Sequence, residues 1–329
     1  FKEEPALVGK KFVDAMFAYE DSAVMGVGKS DGRVLLNPPM ETLIEPGDRL
    51  IAISEDDDTI LLSGKKDYGV DPTAFATPQA HPVKAERALI LGWNRRVPTM
   101  VNELDKYVAP GSHLTLVSHR EDGEALLARY CPSLSRQSVN YIVGDATDRE
   151  LLDQLEVDQF DHLILVCDDD RAPQQADSRT LVTLLHLRDI ALKMHKSISV
   201  VSEMLDVRNR ELAEVTRADD FIVSDKLVSL MLSQLSENKE LKAVFEDLFS
   251  PEGSEIYLKP VEGYVATGTP VNFYTVLLAS ARQKQVAIGY RQVADAKDAT
   301  KSYGVVVNPD KAELVTFAPG DKIIVLAED

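Results

Sequence analysis

Between residues 87 and 225, short apolar runs rich in Val, Ile and Leu alternate with segments whose apolar residues recur every three or four positions. The runs predict strands over 88–91, 113–118, 139–143, 162–167, 197–202 and 221–223. The intervening period predicts helices over 97–106, 121–130, 149–155, 178–194 and 207–217. Strands spaced by helices imply a parallel, doubly wound, Rossmann-like sheet. Two further helical stretches, 225–236 and 240–249, lead out of it, and their apolar residues exceed one amphipathic stripe. Leu241, Val244, Phe245, Leu248 and Phe249 are the candidates for a contact with a second partner, with Phe245 and Leu248 as its anchor pair.

A second pattern repeats. AVMGVGKSDGRVLLNPPMETLIEPGDRLIAISED, residues 23–56, returns as VAIGYRQVADAKDATKSYGVVVNPDKAELVTFAPGDKIIVLAED, residues 286–329. Each copy reads as a strand ending in Gly (Gly26, Gly289), an Asn-Pro after an apolar strand (Asn37-Pro38, Asn308-Pro309), and a Pro-Gly-Asp turn before a last strand. Pro presets φ and Gly supplies positive φ, so the third feature has turn chemistry behind it.

The expected organisation is a small C-lobe-type domain over 1–62, a linker over 63–85 and a Rossmann-like lobe over 86–224. A helical crossover over 225–254 and a second small β-rich α+β domain over 255–329 complete it. The natural unit is a Rossmann-like lobe with its small domain, so the first small domain belongs to a preceding unit.

Composition narrows the function. The formal net charge of -18 excludes binding through phosphate neutralisation, so no nucleic-acid partner is expected. The same charge suits a divalent cation or simple solubility. No apolar run reaches the roughly 18–20 residues a membrane span needs. The start, Phe1-Lys2-Glu3-Glu4-Pro5, has no signal-peptide pattern and no initiating Met, and reads as a start within a longer polypeptide. Two cysteines, Cys131 and Cys167, make no disulfide framework and fit a reducing cytoplasm.

LILGWNRRVPTMVNELDKYVAPGS (89–112), QADSRTLVTLLHLRDI (175–190) and VSDKLVSLMLSQLSENKELKAVFEDLF (223–249) carry a more specific likeness. With the order of domains, these stretches resemble the regulator-of-potassium-conductance (RCK, TrkA-like) region of ion channels, and within it the CASTOR/POLLUX branch. The resemblance covers most of 87–329. It implies a cytoplasmic gating ring of four subunits. Copies of the chain would assemble beneath a pore-forming transmembrane domain of the same polypeptide, bind a ligand and pull on the pore helices.

The residues themselves speak to that ligand. A dinucleotide site would show Gly-x-Gly-x-x-Gly after the first strand, where phosphate meets a helix N-terminus. Here the turn is Gly92-Trp93-Asn94-Arg95-Arg96-Val97-Pro98, and Ser118-His119-Arg120 stands where a ribose-binding acid belongs. NAD is therefore not expected, although Gly92, Asn94, Arg95 and Arg96 remain the weak candidates for holding a phosphate. Gly144-Asp145-Ala146-Thr147-Asp148 resembles the TrkA-type segment near adenine.

Ligands of open parallel sheets bind beyond the strands' carboxyl ends. Asp145, then Asp168, Asp169 and Asp170, then Glu203 fall there, with Asp177 close behind. These oxygens are the candidates for Ca2+, which takes six to eight at about 2.3–2.6 Å. Asp177 or Ser178 is also expected to cap a helix beginning at Arg179. Glu55-Asp56-Asp57-Asp58 reads as a solvated charge run. None of the six histidines has metal-ligand spacing, and neither a Gly-x-Ser-x-Gly elbow nor a Walker loop occurs. The chain therefore reads as a binding module rather than an enzyme. The alternatives are a dinucleotide-binding redox sensor or oxidoreductase with a divergent loop, and a free-standing TrkA-like subunit serving a separate transporter.

Overall fold

The computed structural model describes residues 1–77, 84–196, 198–209, 220–296 and 298–328. The chain divides into two compact units. One comprises Phe1–His81 and Lys239–Asp329; the other comprises Pro82–Asn238.

The second unit is a six-stranded parallel sheet. Its strands are β4 (Arg87–Leu91), β5 (Ser112–Ser118), β6 (Gln137–Val143), β7 (His162–Leu165), β8 (Val200–Met204) and β9 (Asp220–Val223). Their order, β6-β5-β4-β7-β8-β9, is the doubly wound one, reversing between β4 and β7. Helices α2 (Val97–Tyr107), α3 (Gly123–Tyr130), α4 (Arg149–Gln154) and α5 (Pro173–Met194) cross between strands. One apolar cluster packs Leu89, Leu91 and Leu163 on Leu184 and Leu187 of α5. Another packs Ile90, Leu114 and Leu116 on Val97 and Val101 of α2. Asp105 ties α2 to the sheet edge, accepting the backbone N–H bonds of Ser135, Arg136 and Gln137 at 2.8, 2.9 and 2.9 Å.

Several sequence expectations need correction here. The helix expected from Ser178 begins at Pro173, with Ala172 as its extended N-cap. Proline suits the first helical turn because its missing N–H has no partner there. Asp177 is therefore inside the helix and does not cap it. The strand expected over 162–167 ends at Leu165, and that over 197–202 begins at Val200. The helix expected over 207–217 falls mainly outside the described residues; Val207–Asn209 forms a 3-10 turn.

The first unit pairs both copies of the repeat around one core. The first copy contributes α1 (Phe12–Ala18), β1 (Ala23–Gly28), β2 (Val34–Leu36) and β3 (Arg49–Ile53). Between the copies lie α6 (Ser224–Glu237), which belongs to the other unit, and α7 (Leu241–Leu248). The second copy contributes β10 (Glu255–Pro260), β11 (Pro270–Asn272), α8 (Phe273–Ala281), β12 (Val286–Arg291), β13 (Val305–Val307), β14 (Leu314–Thr316) and β15 (Lys322–Ala327). In each copy a central strand pairs antiparallel on both sides, β1 with β2 and β3, β12 with β13 and β15.

The repeat is a repeat of contacts, atom by atom. Gly26 and Gly289 do not end strands; each sits at a bulge inside one. A Cβ at Gly26 would lie 2.5 Å from the Leu35 carbonyl oxygen, and at Gly289 2.2 Å from that of Val306. The Pro-Gly-Asp turns match as well. Buried Asp48 accepts the N–H bonds of Glu45 and Ser30, and buried Asp321 those of Ala318 and Val293. The two asparagines reach reciprocally across the pair. Asn37 Nδ2 donates to the Lys284 carbonyl at 3.2 Å, and Asn308 Nδ2 to that of Asp21 at 2.8 Å.

Residues 63–77, expected as unpatterned linker, are bound along the second copy. Asn272 donates to the carbonyls of Tyr68 and Gly69, and Phe75 bridges to Val265. The Tyr68 ring lies 5.2 Å from that of Phe17 and 4.9 Å from that of Tyr274, one from each copy.

Candidate functional site

The carboxyl ends of β4, β7 and β8 meet beside the reversal of strand order, and the β4–α2 turn closes over them. Gly92 begins this turn at φ +99°, and a Cβ there would lie 2.3 Å from the Val166 carbonyl oxygen. Close approach of the backbone after β7 thus requires this glycine without any cofactor. Trp93 is buried, its ring edge-on to Tyr141 at 6.0 Å.

In a dinucleotide-binding sheet the N–H groups of this turn face phosphate. Here three of them meet side chains of the chain itself. Trp93 N–H donates to Asp168 at 3.2 Å, Arg95 N–H to Asp169 at 2.8 Å, and Arg96 N–H to Asn94 Oδ1 at 2.9 Å. Buried Asn94 donates in turn to the Cys167 carbonyl at 3.1 Å and to Glu203 at 2.8 Å. The Arg95 side chain is exposed, whereas Arg96 pairs with Glu203.

The acids divide by what holds them. Asp177 is fully buried and serves the following loop, accepting N–H bonds from Leu205 at 2.8 Å and Asp206 at 3.0 Å, and one from Asn209 Nδ2 at 2.7 Å. Glu203 is buried against Arg96, Asn94 and the Cys167 N–H. Burial would raise the Asp145 carboxyl, but bonds from the Thr147 N–H and hydroxyl and from Arg179 hold it below its usual range.

Asp168, Asp169 and Asp170 fan out beyond β7. Buried Asp168 lies 3.5 Å from Arg179 and 3.6 Å from Arg171, and Asp170 lies 3.8 Å from Arg171. His119, from the end of β5, stands 3.3 Å from Asp170 and 3.9 Å from Asp168. One ligand atom from each of His119, Asp168 and Asp170 falls within 4.8 Å of the others, an arrangement able to hold a cation. Gly92, Thr147, Asp168, Arg179 and Thr180 line a small pocket alongside.

Arg171, Arg179 and His119 were not singled out by sequence reasoning. The signal for Arg171 was its place directly after three Asp. Arg179 lies nearly two turns into α5, which starts before its expected position, and His119 stands where a ribose-binding acid belongs. Buried Cys167 is no nucleophile: burial pushes its thiol up to about 12.

The proposed contact residues lie in the first unit. Val244 is buried in its core and Leu248 packs against it; Leu241 and Phe245 are half-buried, and Phe249 is 62% exposed. On α6, Leu227, Val228, Leu230 and Leu232 are exposed.

Residues 1–68 match the family described as Castor and Pollux, part of voltage-gated ion channel, and residues 88–224 match the TrkA-N domain. Across 99% of its length the chain is 30% identical to the "Probable ion channel CASTOR" of Oryza sativa subsp. japonica, covering 40% of that protein. It is 29% identical to the "Probable ion channel POLLUX" of Arabidopsis thaliana, again over 99% of the chain and 43% of the relative. The chain thus spans about two fifths of the length of these curated relatives. The human SLO3 gating ring superposes with a TM-score of 0.73 at 12% identity, over 99% of this chain and 65% of that one. Among the described residues no helix is long and apolar enough to cross a membrane.

Proposed function

We propose that this chain, which is similar to the CASTOR and POLLUX ion channels along nearly its whole length, is the ligand-sensing, gating-ring module of a cation channel. It would lie on the cytoplasmic side, beneath a pore-forming domain of the same polypeptide, and act by binding rather than catalysis. The observation that supports ligand sensing is the strand-end cluster, where His119, Asp168 and Asp170 converge while Arg171 and Arg179 neutralise the same acids.

The proposed ligand is Ca2+. Its oxygens would come from Asp168, Asp169 and Asp170, with Asp145 at the edge. Asp177 and Glu203 are bound to other groups and are better read as supports. A cation entering here competes with two guanidinium groups and with the N–H groups of Trp93 and Arg95. Binding is therefore coupled to release of Arg171 and Arg179 and to a change at the start of α2, and that release is the step by which the site can do work. NAD is not part of this reading, because Gly92 is required by Val166 and the turn's donors face Asp168, Asp169 and Asn94.

Isothermal titration of the chain with Ca2+ tests the reading. Saturable heat is expected, weakened at least about tenfold by Asp168→Asn with Asp170→Asn, since losing one charge-assisted ligand bond costs about 1.5–3 kcal/mol. Arg179→Gln should tighten binding by removing a competitor. No heat up to millimolar Ca2+, or identical binding in all three proteins, would contradict it.

Assembly into a ring is also proposed. The exposed Leu227, Val228, Leu230 and Leu232 of α6, with Phe249 after α7, are the apolar surface it would cover.

A further inference from the structure

Lys311 is the most deeply buried cationic side chain in the described residues, at 1% exposure. It lies in the second small domain, three residues after Asn308, and its Nζ crosses into the first. There it donates to three backbone carbonyls at the end of α1 and the turn into β1: Met16 at 3.2 Å, Tyr19 at 2.5 Å and Ser22 at 2.6 Å. Its own carbonyl accepts the Tyr274 N–H of α8 at 3.2 Å. The matching position of the first copy, three residues after Asn37, is Met40, half-buried against the common core. The pair of small domains is therefore symmetric in its asparagines, bulges and backbone turn bonds, and asymmetric at this buried lysine.

We propose that Lys311 makes the pairing of the two small domains proton-sensitive, the pair opening more readily as pH falls from alkaline values toward neutrality. The inference is independent of the ligand reading above, since every group involved lies in the other unit. Its basis is the geometry: a titratable nitrogen that is dry when the domains are together and wet when they part. Charging it in the dry state removes an ammonium from water, and three carbonyls only partly replace that hydration.

Burial sets the sign, and the nearby acids oppose it. From the turn after α1, Asp21 and Glu20 act on it, and α8 packs against its backbone through the Tyr274 N–H. Lys65 already pairs with Glu20 and stands 5.9 Å from the Tyr274 ring, so one of the acids is partly neutralised. Burial lowers the Lys311 ammonium from 10.5 to about 7, against the opposing pull of Asp21 and Glu20.

Linkage then fixes the pH window. A lysine whose proton is held less tightly in the paired state disfavours that state wherever the parted form binds the extra proton. Pairing should strengthen as pH rises from about 7 to 10.5 and be flat below about 7. Within the window the opening equilibrium changes by about tenfold per pH unit.

Two measurements on the intact chain test this. In the first, the lysine side-chain 13Cε signals are titrated by NMR, with Lys311→Arg used for assignment. One signal, absent from the variant, should titrate near 7. If no lysine signal titrates below about 9 in the unaltered protein, the proposal is overturned, and this readout needs no variant to fold. In the second, hydrogen exchange is followed at the amides of β1 and β12 between pH 7 and 9 and corrected for intrinsic chemistry. The opening constant should fall about tenfold per pH unit in the unaltered chain and stay flat in Lys311→Met. An equal pH dependence in both proteins would overturn the proposal.

Discussion

Gly92 shows how one residue can be visible in a sequence and misread there. It looked like the survivor of a dinucleotide fingerprint. Its φ of +99° and the Val166 carbonyl 2.3 Å from a hypothetical Cβ give it a purely architectural reason. Gly92→Ala should therefore destabilise the Rossmann-like unit by about 1–3 kcal/mol, the scale of backbone strain at such sites. Thermal unfolding measures this, and an unchanged melting temperature would contradict it. Asp105 carries the opposite lesson, because no motif marks it. Burial would raise its carboxyl, yet the N–H groups of Ser135, Arg136 and Gln137 hold it below 3.8. A depressed folded-state carboxyl contributes stability above its unfolded value and loses it as pH falls through the folded one. Acid unfolding should thus begin below about pH 4 in the parent, and Asp105→Asn should lower the melting temperature at pH 7 while flattening that acid limb. A variant with the parent's full acid dependence would remove Asp105 from the account.

The element scale is where the sequence was most legible. The parallel strands and the helices after β4, β5 and β6 lie within a few residues of their expected places, because hydrophobic period and turn residues agree locally. The short helices α1 and α8 escaped notice. The α8 sequence, FYTVLLASA, is apolar nearly all round, so it carries no helical stripe to read. Partners distant in the chain were likewise invisible: nothing local says that Asp177 will hold Leu205 and Asp206, or that Arg179 will reach Asp145. The crossover helices give a prediction of their own. Leu248 and Val244 belong to the chain's core, so altering them would test folding and not assembly. Leu227→Glu with Leu230→Glu, both on exposed α6 positions, should instead reduce the mass seen by light scattering and leave the circular dichroism unchanged. An unchanged mass in the folded variant would move the interface elsewhere.

At the scale of the whole molecule, the repeat was the strongest signal in the sequence, and its meaning needed coordinates. Two stretches some 260 residues apart share one core, one pair of reciprocal asparagine bonds and one asymmetric lysine. Sequence can show that two segments are alike; it does not show that they meet. The candidate site was half legible for a similar reason. Its acids were found by their place after strands, whereas the arginines that balance them, Arg171 from the loop before α5 and Arg179 from within that helix, belong to no motif. The account as a whole stands on one claim, that a ligand at those acids moves a pore. Single-channel recording from the proposed full-length channel, with Ca2+ on the side of this chain stepped from nominally zero to millimolar, tests it most directly. The account predicts that open probability rises with Ca2+ and that Asp168→Asn with Asp170→Asn shifts the response to higher Ca2+. An open probability indifferent to Ca2+, or a double variant whose response matches the parent's, would contradict it.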